Sequence, residues 1–89
     1  MKETYLEVTY RHGRPIAAYL YLGREPGEKS CRTQRVEPGM VIDLNSAGRA
    51  IGIEITAPGQ VSLAVLNEIL ADLGLSPITQ ADLAPLKAA

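Results

Sequence analysis

Between Val36 and Ile55 the chain reads VEPGMVIDLNSAGRAIGIEI, an order of residues that few folds accept. Met40, Ile42 and Leu44 alternate with Val41 and Asp43, and Ile51, Ile53 and Ile55 alternate with Gly52 and Glu54. A period of two is that of a strand with one buried face. Asn45–Gly48 supplies the turn between them, with Gly48 at the position needing positive φ, where a Cβ would be strained. A four-residue loop sets Leu44 opposite Arg49 and Ile42 opposite Ile51, so both apolar rows share one side. A slip of one residue would bring Asp43 among the isoleucines, which specifies the pairing.

The segments before this hairpin extend the sheet. Thr4–Tyr10 places Leu6, Val8 and Tyr10 on one face and Tyr5, Glu7 and Thr9 on the other. Gly13 and Pro15 break the pattern and turn the chain. Ile16–Leu22, apolar on both faces, reads as a central strand. Pro26-Gly27 marks another turn, and Ser30–Val36 is a polar edge strand on which Arg32 and Arg35 discourage pairing with other chains. Pro38-Gly39 leads into the hairpin, and Pro58-Gly59 leads out of it.

Helical spacing begins after residue 61. Ser62 caps a helix over about 62–73, and Gly74 stops it. Leu63, Leu66, Ile69, Leu70 and Leu73 form one stripe, away from Asn67, Glu68 and Asp72. The aliphatic sheet face is its receiver. In the tail, 75–89, Thr79 and Asp82 have the spacing of a capping box, and Pro85 limits the helical turn that follows. The predicted fold class is α+β: an antiparallel meander of about five strands over residues 4–57, one amphipathic helix on a sheet face, and a short C-terminal helical turn.

The 89 residues suit one domain with a small core. With 46% hydrophobic and 21% charged residues, the chain is globular rather than disordered. It contains neither Trp nor Phe, so Leu, Ile, Val and four Tyr must supply the large core side chains. A single cysteine, Cys31, excludes an intrachain disulfide and suits a reducing cytoplasm. The N-terminus MKETYLEV is polar, and no apolar run approaches the roughly 20 residues of a membrane span, so neither signal peptide nor membrane segment is expected. A net charge of −1 argues against general capture of nucleic acid. The cations concentrate locally: Arg11, Arg14, Arg24, Lys29, Arg32 and Arg35 face only Glu25 and Glu28 between residues 11 and 35.

Two stretches carry a family resemblance. Ala17-Ala18-Tyr19-Leu20-Tyr21-Leu22 is similar to an Ala-x-Tyr-hydrophobic-x-Leu strand. Val36, Pro38-Gly39, Val41-Ile42-Asp43, Gly48 and Gly52-Ile53-Glu54-Ile55 resemble the hairpin that follows it in domain-of-unknown-function family 2283, a group of short prokaryotic proteins. The likeness covers roughly residues 10–57. Acidic residues that the family tends to carry before the tyrosine strand are replaced here by Tyr10-Arg11 and Ile16-Ala17. The resemblance implies a small β-rich protein, and an antitoxin-like role by analogy with relatives encoded beside ribonuclease-like toxins.

Few residues offer chemistry. Asp43 and Glu54 share a sheet face on adjacent strands, a possible paired-carboxylate or ligand site; the simpler reading makes them solvated positions of an alternating strand. Gly52 on that face leaves room for a backbone or ligand to approach. His12 sits in a basic turn without an orienting acid, and Cys31 beside Lys29 and Arg32 has no evident base partner. No phosphate loop or metal-ligand spacing occurs, so neither cofactor nor metal is expected. Tyr5, Tyr19 and Tyr21 fall on the sheet face without a helix cover. They form either a partner surface or aromatic pairs within one copy.

Together these features predict a non-enzymatic protein-binding module, homodimeric, with Tyr5, Tyr19, Tyr21, Arg32 and Arg35 as its partner-binding residues. The alternative is a small ligand- or metal-binding protein or enzyme using Asp43 and Glu54.

Overall fold

The computed structural model describes residues 4–23, 27–36 and 38–87. Strands β1 (Tyr5–Arg11), β2 (Arg14–Tyr21), β3 (Arg32–Val36), β4 (Met40–Leu44) and β5 (Ala50–Ile55) precede a 3₁₀ turn at Pro58–Gln60. Helices α1 (Leu63–Asp72) and α2 (Gln80–Lys87) follow. All strand pairs are antiparallel, in the order β1-β2-β5-β4-β3. A hairpin, β1–β2, and a meander, β3–β4–β5, thus join along the β2–β5 seam. The last strand is the central one, and its Ile51, Ile53 and Ile55 are fully buried.

The first hairpin turns on two residues only. His12 (φ 53) and Gly13 (φ 76) both adopt the left-handed conformation, as the tight turn that suits twisted strands requires. Pro15, read from sequence as part of the turn, lies inside β2. It is tolerated because β5 pairs only with Ala18–Tyr21, so the start of β2 is laddered on one side. Thr9 pairs with Ala17 and Tyr10 with Pro15, leaving Ile16 as the extra residue of a bulge.

The β4–β5 register differs from the sequence expectation. Leu44 pairs with Ala50 and Ile42 with Ile53, not with Arg49 and Ile51. Asn45 causes the change: its Oδ1 accepts bonds from the backbone N–H of Ala47 (3.0 Å) and Arg49 (2.8 Å). The Asn45 N–H closes the loop on the Arg49 carbonyl at 2.9 Å, and Gly48 takes the left-handed position at φ 83. Ile51 becomes a bulge residue, and the pairing beyond it moves by two. A shift of two preserves which face each side chain occupies, so Asp43 stays off the apolar side.

One sheet face carries the core. Ala18, Leu20 and Leu22 of β2 and its C-terminal end, Met40 and Ile42 of β4, and Ile53 and Ile55 of β5 pack with residues of both helices. From α1 come Leu66, Ile69 and Leu70, with Leu63 and Leu73 half-buried. Ser62 caps this helix by accepting the Val65 N–H. Leu75 N–H bonds to the Leu70 carbonyl and Gly74 N–H to that of Ala71, around Gly74 at φ 76. This is the left-handed helix stop that glycine favours.

The short helical element expected in the tail is present. Gln80–Lys87 is an eight-residue helix that buries Leu83 and Leu86. Thr79 Oγ1 accepts the Asp82 N–H, and Asp82 Oδ2 accepts both the N–H and the hydroxyl of Thr79. Pro85 removes one intrahelical donor two residues from the end, where burial of Leu86 offsets the loss. The Pro85 carbonyl instead accepts the Tyr10 hydroxyl at 2.6 Å, tying α2 to β1. Asn67 secures the connection between the helices: its amide exchanges two hydrogen bonds with the backbone of Ile78 (2.8 and 3.0 Å). Among the described residues, no helix is long and apolar enough to cross a membrane.

Candidate functional site

Both helices occupy one sheet face, so the other face is left to two cross-strand rows. Pairing places Tyr5, Tyr21, Gly52, Asp43 and Thr33 in the first, running from β1 to β3. The second is Glu7, Tyr19, Glu54, Val41 and Arg35. Directly opposed residues share a face, so alternation in the sequence alone assembles this surface.

Its centre is an aromatic cluster. The rings of Tyr5 and Tyr21 stack with centroids 4.4 Å apart and planes inclined by 10°. Tyr19 meets Tyr21 edge-on, at 4.7 Å and 66°. Carboxylates fix two of the phenols: Tyr19 donates to Asp43 Oδ2 at 2.7 Å and Tyr21 to Glu7 Oε1 at 3.0 Å. Tyr19 reaches Asp43 by crossing β5 above Gly52, the one position in that row without a side chain. A phenol donating to a carboxylate keeps its ring electron-rich, which favours contact with a cation. Tyr5 remains 43% exposed, and Tyr19 and Tyr21 are half-buried.

The predicted site residues divide accordingly. Tyr5, Tyr19, Tyr21, Asp43, Glu54 and Arg35 come together on this face. Arg32 does not; it pairs with Leu44, whose side chain packs against the core, and so belongs to the helix side. Asp43 opposes Gly52 and Glu54 opposes Val41, which makes the two carboxylates diagonal neighbours. The space that Gly52 leaves holds the ring of Tyr19, not an outside ligand. Glu7 is the member of this face that residue type did not single out. Its signal was present in the alternation, which puts Glu7 beside Tyr5.

Elsewhere, His12 and Cys31 are exposed. Glu28 binds Arg49 through both carboxylate oxygens at 2.6 Å and accepts the Asn45 amide, clasping the β2–β3 connection to the β4–β5 loop. Of the expected Pro26-Gly27 turn, Gly27 has φ 81, and Pro26 lies outside the described residues. Among the described residues, no three His, Cys, Asp or Glu side chains gather as a metal site would require. Two open clefts, of 570 and 340 Å³, flank the end of α1 and the α1–α2 connection; of the predicted site residues they include only Tyr5.

Comparison with curated proteins and with solved structures finds no match. A family does match: the model described as "Protein of unknown function (DUF2283)" covers residues 17–57. That stretch contains Tyr19, Tyr21, Asp43, Gly52 and Glu54 and runs from β2 through β5. The family whose strand and hairpin the sequence resembles is therefore the family to which this stretch belongs.

Proposed function

We propose that this chain is a small non-enzymatic binding module of the cytoplasm that works by self-association through the tyrosine face of its sheet. One observation carries the reading. Tyr5, Tyr19 and Tyr21 form a contiguous aromatic surface on the face that neither helix covers, with the hydroxyls of Tyr21 and Tyr19 held by Glu7 and Asp43. Aromatic residues with a polar tip suit an interface, since they bury large apolar area at little entropic cost. Rings already fixed by stacking and hydrogen bonds lose less freedom on docking.

Light scattering across a concentration series tests the reading. The expected result is a dimer that becomes a monomer on Tyr21→Asp, with the helical and strand circular dichroism unchanged. A dimer indifferent to that substitution would place the interface elsewhere. The alternative use of the face, as a ligand site at Asp43 and Glu54, predicts a bound small molecule that an Asp43→Asn, Glu54→Gln double variant loses.

A further inference from the structure

Resting on that reading, we infer how a second copy of the chain occupies the tyrosine face: Arg35 of each copy meets Glu7 of the other. Charge across the face is unequal. Glu7, Glu54 and Asp43 lie on β1, β5 and β4, whereas Arg35 stands on β3 at the opposite margin. Glu7 and Arg35 end the same cross-strand row, four strand spacings or about 19 Å apart. Both side chains are exposed. Within one copy that separation is too large for an ion pair.

The strand order makes the face self-complementary. A two-fold axis parallel to the strands and above β5 lays β1 of each copy over β3 of the other while keeping the rows aligned. Glu7 then opposes Arg35 of the second copy, and the symmetry repeats the pair. In the same arrangement Tyr19 opposes Val41, and Tyr21 opposes Asp43. Sheets packed face to face lie about 10 Å apart, a gap that long side chains from both copies fill. Two rows of five residues make a small interface beside the roughly 1,200–2,000 Å² of a standard one. The dimer is accordingly concentration-dependent, and its charged margins make it salt-sensitive.

Charge reversal with complementation tests the arrangement. Arg35→Glu and Glu7→Arg, each alone, place like charges at both margins and should weaken dimerisation about tenfold or more. A 1:1 mixture of the two variants restores opposite charges at both margins and should form a heterodimer, read by sedimentation velocity. Recovery in the mixture also shows that neither variant is misfolded. Dimerisation unaffected by either reversal, or a mixture that stays monomeric, overturns the inference. If Tyr21→Asp still abolishes the dimer in those cases, the tyrosine-face reading survives without this arrangement. A wild-type chain monomeric throughout, or a dimer indifferent to Tyr21→Asp, overturns both.

Discussion

The ring of Tyr19 lies where a side chain at Gly52 would be. A Cβ built on Gly52 falls 2.5 Å from Tyr19 Cε2 and closer still to the hydroxyl that binds Asp43. The glycine is therefore required by its neighbour. Gly52→Ala should displace the phenol and destabilise the fold by about 1–2 kcal/mol, after the gain of about 0.5–1 kcal/mol from replacing a strand glycine. In a Tyr19→Ala background the same substitution should be neutral or stabilising. Urea denaturation of the four proteins measures the coupling, and additive effects would contradict the contact.

Asn67 acts on the helix side of the sheet, where its amide holds both backbone groups of Ile78. Asn67→Ala should cost about 1–3 kcal/mol, since two half-buried backbone groups lose their partners. Hydrogen exchange at the Ile78 amide should accelerate with it, while the central β5 amides change only through global stability.

The Thr79–Asp82 box gives α2 an acid dependence. Bonds from the Thr79 backbone N–H, and then from its hydroxyl, hold the Asp82 carboxyl below its ordinary value of 3.8. A lowered folded-state pKa contributes stability that is present above 3.8 and lost as pH falls through the lowered value. NMR titration should give Asp82 a midpoint below 3.8, moving upward in Thr79→Ala. A midpoint unchanged by that variant would remove the hydroxyl from the account.

Glu54 stands on the central strand, where the proposed two-fold axis above β5 would bring the two copies' carboxylates together. Glu54→Gln removes that repulsion and should tighten the dimer by about 3- to 10-fold. A weaker dimer would place the axis elsewhere. Loss of a small-molecule ligand on the same substitution would instead favour the carboxylate-site alternative.

Much of this structure was legible where one physical rule governs a position. The alternation of Met40–Leu44 gives its strand bounds to the residue, and Ser62 and Gly74 mark the ends around α1. The misread features are those where side chains compete with pattern. Asn45 captures two backbone donors and inserts the Ile51 bulge, which periodicity cannot register. Pro15 reads as a turn residue until the short reach of β5 shows that its side of β2 needs no donor. At the surface, alternation placed the tyrosines together, but the link from Tyr19 over Gly52 to Asp43 depends on two strands distant in sequence. Arg32 and Arg35 read alike as edge cations; alternation sets them on opposite faces, and the pairing with Leu44 and Val41 shows which face each takes.

The central place of β5 also governs how the molecule is made. Both the β1–β2 hairpin and the β3–β4–β5 meander close through neighbours in sequence, so each can form early and locally. Joining them requires Ala18 to find Ile55 across the intervening chain, and only that seam unites the two halves of the sheet. With both halves formed, the chain left to close is the β2–β3 connection, and docking them is the least local step of the assembly. Until the seam zips, the edges of β2 and β5 are open templates for strands of other chains, so the aggregation hazard lies at the centre of the finished sheet.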